Sequence, residues 1–383
     1  MKIVFRNDVI SAAVAPLMSG VSSKMTLAAT GGILIEATLP NTCILTTYDL
    51  EKGVRVQIEA DVIEAGSAII SASKFSQIVR VMEGGDITLT VDDRLSATIV
   101  SGRASHTMTA LPAKDFPEIP NLTTPDGFVA SQKVLRGMIA KCLYAMGVND
   151  QRPVLNGLFF SIMGEKLHMV SCDSFKMATS ATESNLSGLD AGKLKDMKFI
   201  LPNKSVFELH KLLSDKDEES TVTIYSGRKS IIFVMGSITF FSKLIEGEYI
   251  DYNRIILRNH RITANLDRDA LISALEHAAL ITEEKVAGSV RSHVRLELEG
   301  DILKISATSG TGSAYDELSV VHEGDDLVIA FNNRYLIDSL RACNADRVKI
   351  SLSSPLTSIN IEPADDDTTA EDLFMLLPVR MKE

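Results

Sequence analysis

Leu201-Pro202-Asn203-Lys204-Ser205 lies near the middle of the chain and has two counterparts, Ser71-Ala72-Ser73-Lys74-Phe75 before it and Phe331-Asn332-Asn333-Arg334-Tyr335 after it. Each stretch reads as a turn and a short apolar strand feeding a helix that opens with a basic residue. Lys74, Lys204 and Arg334 are spaced at two equal intervals of 130 positions. A constant repeat of that length means three tandem copies of one domain rather than a solenoid of small units. A cation at a helix N-terminus also opposes the macrodipole, at a cost of a few tenths to about 1 kcal/mol. Three such placements call for a reason outside folding.

On a helical wheel each of these helices is two-sided. A second basic residue follows at Arg80, Lys211 and Arg341, while Ile78, Val79 and Met82, or Leu209, Leu212 and Leu213, fall on the opposite side. For one helix, Lys and Arg solvating the outer face is reason enough. Three in register point to a common basic surface.

With 39 Lys+Arg against 50 Asp+Glu the net charge is −11, so the body as a whole repels polyanions and a basic stripe requires segregated charge. Acid gathers in runs such as Asp215 to Glu219 and Asp365-Asp366-Asp367. A length of 383 residues, 45% apolar, is ample for two or three cores. No run approaches the roughly 18 apolar residues of a membrane span, and Met1-Lys2-Ile3-Val4-Phe5 leads into polar residues, so a cytoplasmic protein is expected. Cys43, Cys142, Cys172 and Cys343 form no CxxC pair and read as reduced, packed thiols; no metal and no cofactor is implied.

Each third opens with a helix, roughly 7–19, 131–146 and 267–281, each with a polar residue to cap it. Strand hairpins follow: Ile33-Leu34-Ile35 with Cys43-Ile44-Leu45, Leu158-Phe159-Phe160 with Leu167 to Val170, and Val294-Arg295-Leu296 with Ile302 to Ile305. After the basic helix come further alternating strands, including Ile87 to Val91, Val222 to Ile224 and Val348 to Leu352. Period-two alternation with short turns predicts antiparallel sheets covered on one face by helices, an α+β class. Pro112, Pro117, Pro120 and Pro125 punctuate the first junction, and the second lies near Gly247 to His260. The expected domains are 1–124, 125–258 and 259–383.

Catalytic motifs are missing: there is no GxxxxGK[ST], HExxH or GxSxG, and Ser309-Gly310-Thr311-Gly312-Ser313 reads as a turn. None of the seven histidines pairs at ligand spacing. Nothing demands an enzyme.

Arg152-Pro153-Val154-Leu155-Asn156-Gly157-Leu158, Leu244 to Tyr252, Leu111-Pro112-Ala113-Lys114-Asp115-Phe116-Pro117 and Leu377-Pro378-Val379-Arg380-Met381, added to the threefold repeat, resemble the beta subunit of bacterial DNA polymerase III, the sliding-clamp family. The likeness runs the whole chain in order. It implies a non-catalytic processivity factor: a head-to-tail homodimer closing into a ring, sheets outside, helices lining a hole around double-stranded DNA that is contacted without regard to sequence. Lys24, Lys74, Arg80, Lys133, Arg136, Lys204, Lys211, Arg334 and Arg341 are the residues expected to face the hole, where phosphate contacts attract without base readout. The first helix of the last third departs from this, since Asp267, Asp269 and Glu276 outnumber Arg268.

The resemblance also implies a groove for short peptide motifs of the polymerase III catalytic subunit, the clamp loader and other replication or repair proteins. Its residues would be Leu155, Cys172, Ser174, Lys176, Met177, Ile250, Arg254, Ile255, Asn332, Tyr335, Leu356, Ser358, Met375, Leu377, Pro378, Val379, Arg380 and Met381. Read without the resemblance, the aliphatic members are ordinary core. His106 and Met108 would meet Leu280 and Ile281 of a second copy in the dimer seam. The groove departs from the family pattern: where clamps read Ala-Thr-Asp-Gly-His-Arg-Leu-Ala, this chain has Ser171-Cys172-Asp173-Ser174-Phe175-Lys176-Met177-Ala178. Losing the glycine removes easy access to positive φ, and Lys for Arg gives up a planar fork of donors. Ile250 replaces a common proline, and Lys382 and Glu383 extend past the usual end. The alternatives are a clamp-like scaffold or paralogue that binds proteins without encircling DNA, and an enzyme with an unrecognised site.

Overall fold

The computed structural model describes residues 1–22, 27–82, 85–121, 127–163, 166–183, 197–217, 219–282, 293–310, 312–364 and 370–381. Lys24, Pro125, the acidic triplet at 365–367, Lys382 and Glu383 lie outside the described residues. Two compact units form, one holding Met1–Lys133 and Glu208–Leu244, the other most of the remainder.

The helices of the described residues come two to a copy: α1 (Asn7–Leu17) and α2 (Ala72–Val81), α3 (Gln132–Cys142) and α4 (Asn203–Leu212), and α5 (Arg268–Thr282) and α6 (Asn333–Ala342). The expected boundaries are shortened at two C-termini, where α1 and α3 hand over to single 3₁₀ turns at Met18–Gly20 and Leu143–Ala145. The basic residue is not the first of its helix: Lys74 is third in α2, and Lys204 and Arg334 are second in α4 and α6. Nor does a polar cap start α1, because Arg6 holds that position without capping the helix. Instead, the first residue of each leading helix binds the chain near the end of its companion. Asn7 Nδ2 donates to Met82 O (2.7 Å), Gln132 Oε1 accepts from Ser214 N (2.9 Å), and Arg268 Nη1 donates to Cys343 O (2.6 Å). Three different side chains thus satisfy backbone groups left over at a helix end.

In the first unit, a five-stranded sheet runs in the order Asp61–Glu64, Lys2–Arg6, Asp86–Val91, Ser96–Ser101, Ala104–Thr109. A nine-stranded sheet runs Leu111–Pro112, Gly66–Ser71, Gly32–Thr38, Thr42–Tyr48, Lys52–Glu59, Ile238–Lys243, Ser230–Met235, Thr221–Ser226, Gly127–Ser131. In the second unit the order is Lys198–Pro202, Gly157–Met163, Lys166–Cys172, Lys176–Glu183, Ala370–Leu376, Ile359–Pro363, Arg347–Leu352, Ile262–Asp267, Val321–Glu323. A four-stranded sheet, Ser313–Ser319, Ile302–Thr308, His293–Glu299, Leu327–Asn332, completes it. Asp86–Val91 shows the half-buried alternation that the sequence predicts, whereas Gly157–Ile162 is buried on both faces. Its outer face is covered by the Ile245–Ile256 segment, through Ile245, Tyr249, Ile250, Tyr252 and Ile256.

Each nine-stranded sheet is a join between two copies. Lys52–Glu59 pairs antiparallel with Ile238–Lys243, setting Val56 opposite Ile238. Lys176–Glu183 pairs with Ala370–Leu376, setting Ser180 opposite Asp372. The first join is apolar at this place, but the second buries a network: Ser180 Oγ donates to Asp372 Oδ1 (2.6 Å), and Lys141 Nζ meets Asp372 Oδ2 (2.6 Å). Removing one member of a buried pair strands the other charge, at roughly 3 kcal/mol or more. Asp372→Ala should therefore lower the urea midpoint, and Lys141→Met with Ser180→Val and Asp372→Leu, which copies the chemistry of the first join, should recover most of the loss.

Candidate peptide groove and basic helix faces

The altered segment of the expected groove is a side-chain-built turn. Asp173 Oδ1 accepts from the backbone N–H of Phe175 (2.7 Å) and Lys176 (2.8 Å), and its Oδ2 pairs with the Lys176 ammonium. The same device stands in the first copy, where Asp49 Oδ1 accepts from Glu51 N (2.9 Å) and Lys52 N (2.7 Å) and Oδ2 pairs with Lys52 Nζ (2.9 Å). Both lysines are buried, Lys52 at 7% exposed and Lys176 at 8%. Lys176 Nζ additionally lies 4.6 Å from the centre of the Tyr335 ring, a cation–π contact. Ser174 keeps a negative φ, unlike its counterpart Leu50 at +78°, so the missing glycine imposes no left-handed strain. Its hydroxyl accepts a hydrogen bond from Arg152 Nη2 (3.0 Å), whose Nε is held by Asp150 (3.0 Å).

Behind the turn, Leu155, Cys172, Met177 and Met375 share one buried cluster with Phe159, Val170, Ile200 and Tyr249, and Ile250 packs against it. Phe159 and Tyr249 stack at 4.8 Å and 6°. Of the other expected groove residues, Leu377 N donates to Phe175 O (2.9 Å) and Val379 N to Ala330 O (2.8 Å), which ties the C-terminal segment to the turn and to the strand preceding α6. Asn332 caps α6 by accepting from Tyr335 N (3.2 Å), and Arg254 pairs with Asp251 (2.9 Å). Ile255, Leu356, Leu377, Val379 and Met381 all expose apolar surface, Arg380 is exposed, Pro378 is half-buried and Ser358 is buried. Asp173, Phe175, Arg152 and Tyr249 were not among the residues expected from sequence. The Asp-x-x-Lys spacing common to Asp49 to Lys52 and Asp173 to Lys176 is the signal that could have marked the first of them.

The basic residues stand on the helices as expected. Lys74, Arg80, Lys133, Lys204, Lys211, Arg334 and Arg341 are exposed and Arg136 is half-buried; Lys24 lies outside the described residues. Lys211 pairs with Glu208 (3.1 Å), and Arg341 with Glu276 of α5. The acid at the start of the third copy also has local work. Asp267 Oδ1 accepts from Ala270 N (2.7 Å) at the start of α5, and Asp269 pairs with Arg268 (2.8 Å). Of the seam residues, His106 is exposed and Met108 half-buried on Ala104–Thr109, while Leu280 near the end of α5 is 82% exposed beside the half-buried Ile281. Among the described residues no group of three His, Cys, Asp or Glu is placed to hold a metal ion, and no helix is long and apolar enough to cross a membrane.

Three repeated α+β copies, joined sheet to sheet and carrying basic helices, define a chain of the DNA-clamp type. Models of the N-terminal, central and C-terminal domains of the DNA polymerase III beta subunit match residues 1–120, 130–251 and 253–378. The beta sliding clamp of Staphylococcus epidermidis is 27% identical over 373 residues, covering 95% of each chain, and that of Staphylococcus aureus is 26% identical over 390 residues, covering 99% of each. The crystal structure of DNA polymerase III subunit beta from Pseudomonas aeruginosa superimposes over 100% of both chains with a TM-score of 0.90 at 26% identity. A structure of a DNA polymerase III beta subunit from Eubacterium rectale, at 24% identity, shares the fold with a TM-score of 0.91 over 100% of both chains. The chain belongs to the DNA polymerase III beta subunit family, the sliding clamps, non-catalytic processivity subunits of DNA replication. A scaffold that does not encircle DNA is not favoured, since the relatives named here are themselves sliding clamps.

Burial pushes the Cys172 thiol up to about 11, and Cys43 and Cys142 up to about 12. The native fold thus keeps protons that the unfolded chain gives up near pH 8.5 to 9. The sign follows from linkage: a raised thiol value leaves stability untouched at neutral pH and lowers it as pH climbs past the unfolded value. Iodoacetamide at pH 8 should label the native thiols far more slowly than the denatured ones, and the urea midpoint should fall between pH 9 and 11.

Proposed function

We propose that two copies of this chain join head to tail in a closed ring around duplex DNA, slide along it, and tether the replicative polymerase and other proteins that carry a short clamp-binding motif. The three domains are 1–124, 125–258 and 259–383, and the protein acts in the cytoplasm. Lys24, Lys74, Arg80, Lys133, Arg136, Lys204, Lys211, Arg334 and Arg341 face the DNA, and the groove around Leu155, Met177, Tyr335 and Leu377 takes the motifs of polymerase and loader.

The observation that carries the ring is a pair of open sheet edges. Copies one and two, and copies two and three, are each joined by one antiparallel strand pair. By the same repeat, Ala104–Thr109 corresponds to Ile238–Lys243, and Ser313–Ser319 to Lys52–Glu59 and Lys176–Glu183. Those two strands end their sheets. An unpaired edge is a template for another strand, and only a second copy offers both complements. The register of the first join would set Ala104 opposite Asp316. Since α5 packs against Ser313–Ser319, Leu280 and Ile281 would then lie against His106 and Met108 of the other copy.

Loaded on nicked circular DNA by a compatible clamp loader, the protein should remain through moderate salt and run off once the circle is cut. A binder held by charge alone would weaken steeply with salt and ignore linearisation; equal retention on both forms defeats the ring. In sedimentation, Leu280→Asp with Ile281→Asp should give a folded monomer, because the seam would have to bury two carboxylates without partners. A dimer that survives this change means that the seam lies elsewhere.

A further inference from the structure

Phe175 is 54% exposed in a turn that does not need it. The matching turn of the first copy makes the same Asp–Lys contacts with Glu51 in that position, so nothing in the local backbone asks for an aromatic ring there. Exposed polar residues are the ordinary filling of such a turn, and Phe175 with the exposed Leu377 beside it forms part of an apolar patch rather than a lone surface residue.

The residue is fixed at both backbone groups, and its ring has an aromatic neighbour. Its backbone carbonyl accepts from Leu377 N (2.9 Å), its own N–H is fixed by Asp173 (2.7 Å), and the ring lies 6.1 Å from Tyr335 at a tilt of 35°. Leu377, with exposed apolar surface, is thereby beside it. Of the cations nearby, Lys176, Arg152 and Arg254 are matched to Asp173, Asp150 and Asp251, while Arg380 stands exposed three residues beyond Leu377. Lys176, which a sequence comparison singles out as the altered recognition group, is buried and committed to the turn, just as Lys52 is in the first copy.

We infer that Phe175 is the specificity-determining residue of the groove, selecting peptides that carry a large aromatic or aliphatic side chain beside the core motif and giving no advantage to an acidic one. This rests on the groove reading under Proposed function. A half-exposed ring on a fixed backbone, with a second ring beside it, gains contact area from another apolar group, and an aromatic pair of ordinary strength corresponds to a roughly three- to ten-fold change in Kd. A carboxylate set against the ring itself would lose water to an apolar surface without gaining a partner from it.

The test is a positional scan by titration calorimetry on the full-length protein. The probes are peptides with a common glutamine, leucine and terminal leucine, in which each remaining or flanking position is in turn phenylalanine or aspartate. At one position phenylalanine should bind three- to ten-fold more tightly than aspartate. Phe175→Glu, which installs the first copy's residue, should abolish that preference, and Phe175→Leu should keep part of it, each read as the ratio of phenylalanine-peptide to aspartate-peptide affinity. Phe175 is exposed, so the variants should match the parent in thermal unfolding. A purely structural ring would change the binding of all peptides together. Selectivity undiminished in Phe175→Glu, or absent in the parent, overturns the inference alone; failure of every peptide to bind the parent defeats the groove and the inference with it.

Discussion

A strand at the edge of a sheet leaves its N–H and C=O groups facing outward, and the organisation of this chain follows from how those edges are used. Within the chain, Lys52–Glu59 is covered by Ile238–Lys243 and Lys176–Glu183 by Ala370–Leu376. The copies are therefore connected by backbone hydrogen bonding, with side chains deciding only what is buried at each join. A processivity subunit built this way gains a sheet that runs unbroken across each join, and its helices remain available to carry charge.

Repetition of backbone did not mean repetition of chemistry. The tie between paired helices uses an amide donor in Asn7, an amide acceptor in Gln132 and a guanidinium in Arg268. The geometry asks only for a polar group long enough to reach a helix end, and three residue types meet the demand. The Asp–Lys contacts of the turn, in contrast, recur in the first two copies although the two residues between them differ, because one carboxylate there satisfies two backbone N–H groups and a buried ammonium together. Few side chains can do all three.

Much of the fold could be read from residues alone. The spacing of Lys74, Lys204 and Arg334 gave the number of copies, and alternation over Ile87 to Val91 gave antiparallel strands. The joins were not legible, since edge pairing depends on which strands are left open after each copy folds, and Lys52–Glu59 carries no mark distinguishing an inner strand from an edge. In the groove, the resemblance supplied Leu155, Met177 and Met375, which share a cluster. Lys for Arg at position 176 reads from sequence as the loss of a planar fork of donors, whereas the structure commits that lysine to Asp173 inside the turn. Of the acids that outnumber Arg268, Asp267 and Asp269 have local partners, and only Glu276 needs one that sequence proximity does not show, Arg341 far along the chain.

The contrast between Val56 opposite Ile238 and Ser180 opposite Asp372 bears on how three near-equivalent copies assemble in the right order. A nascent chain of repeats can join the wrong neighbours, with the third copy's last strand seeking the first copy's open edge. That mistake would press the Asp372 carboxylate against Val56, far from Lys141 and Ser180, and an uncompensated buried charge costs several kcal/mol. An ion pair placed at only one of the two joins would thereby distinguish them. It adds little to a correct assembly that an apolar pair would not, but it makes the shuffled one unfavourable.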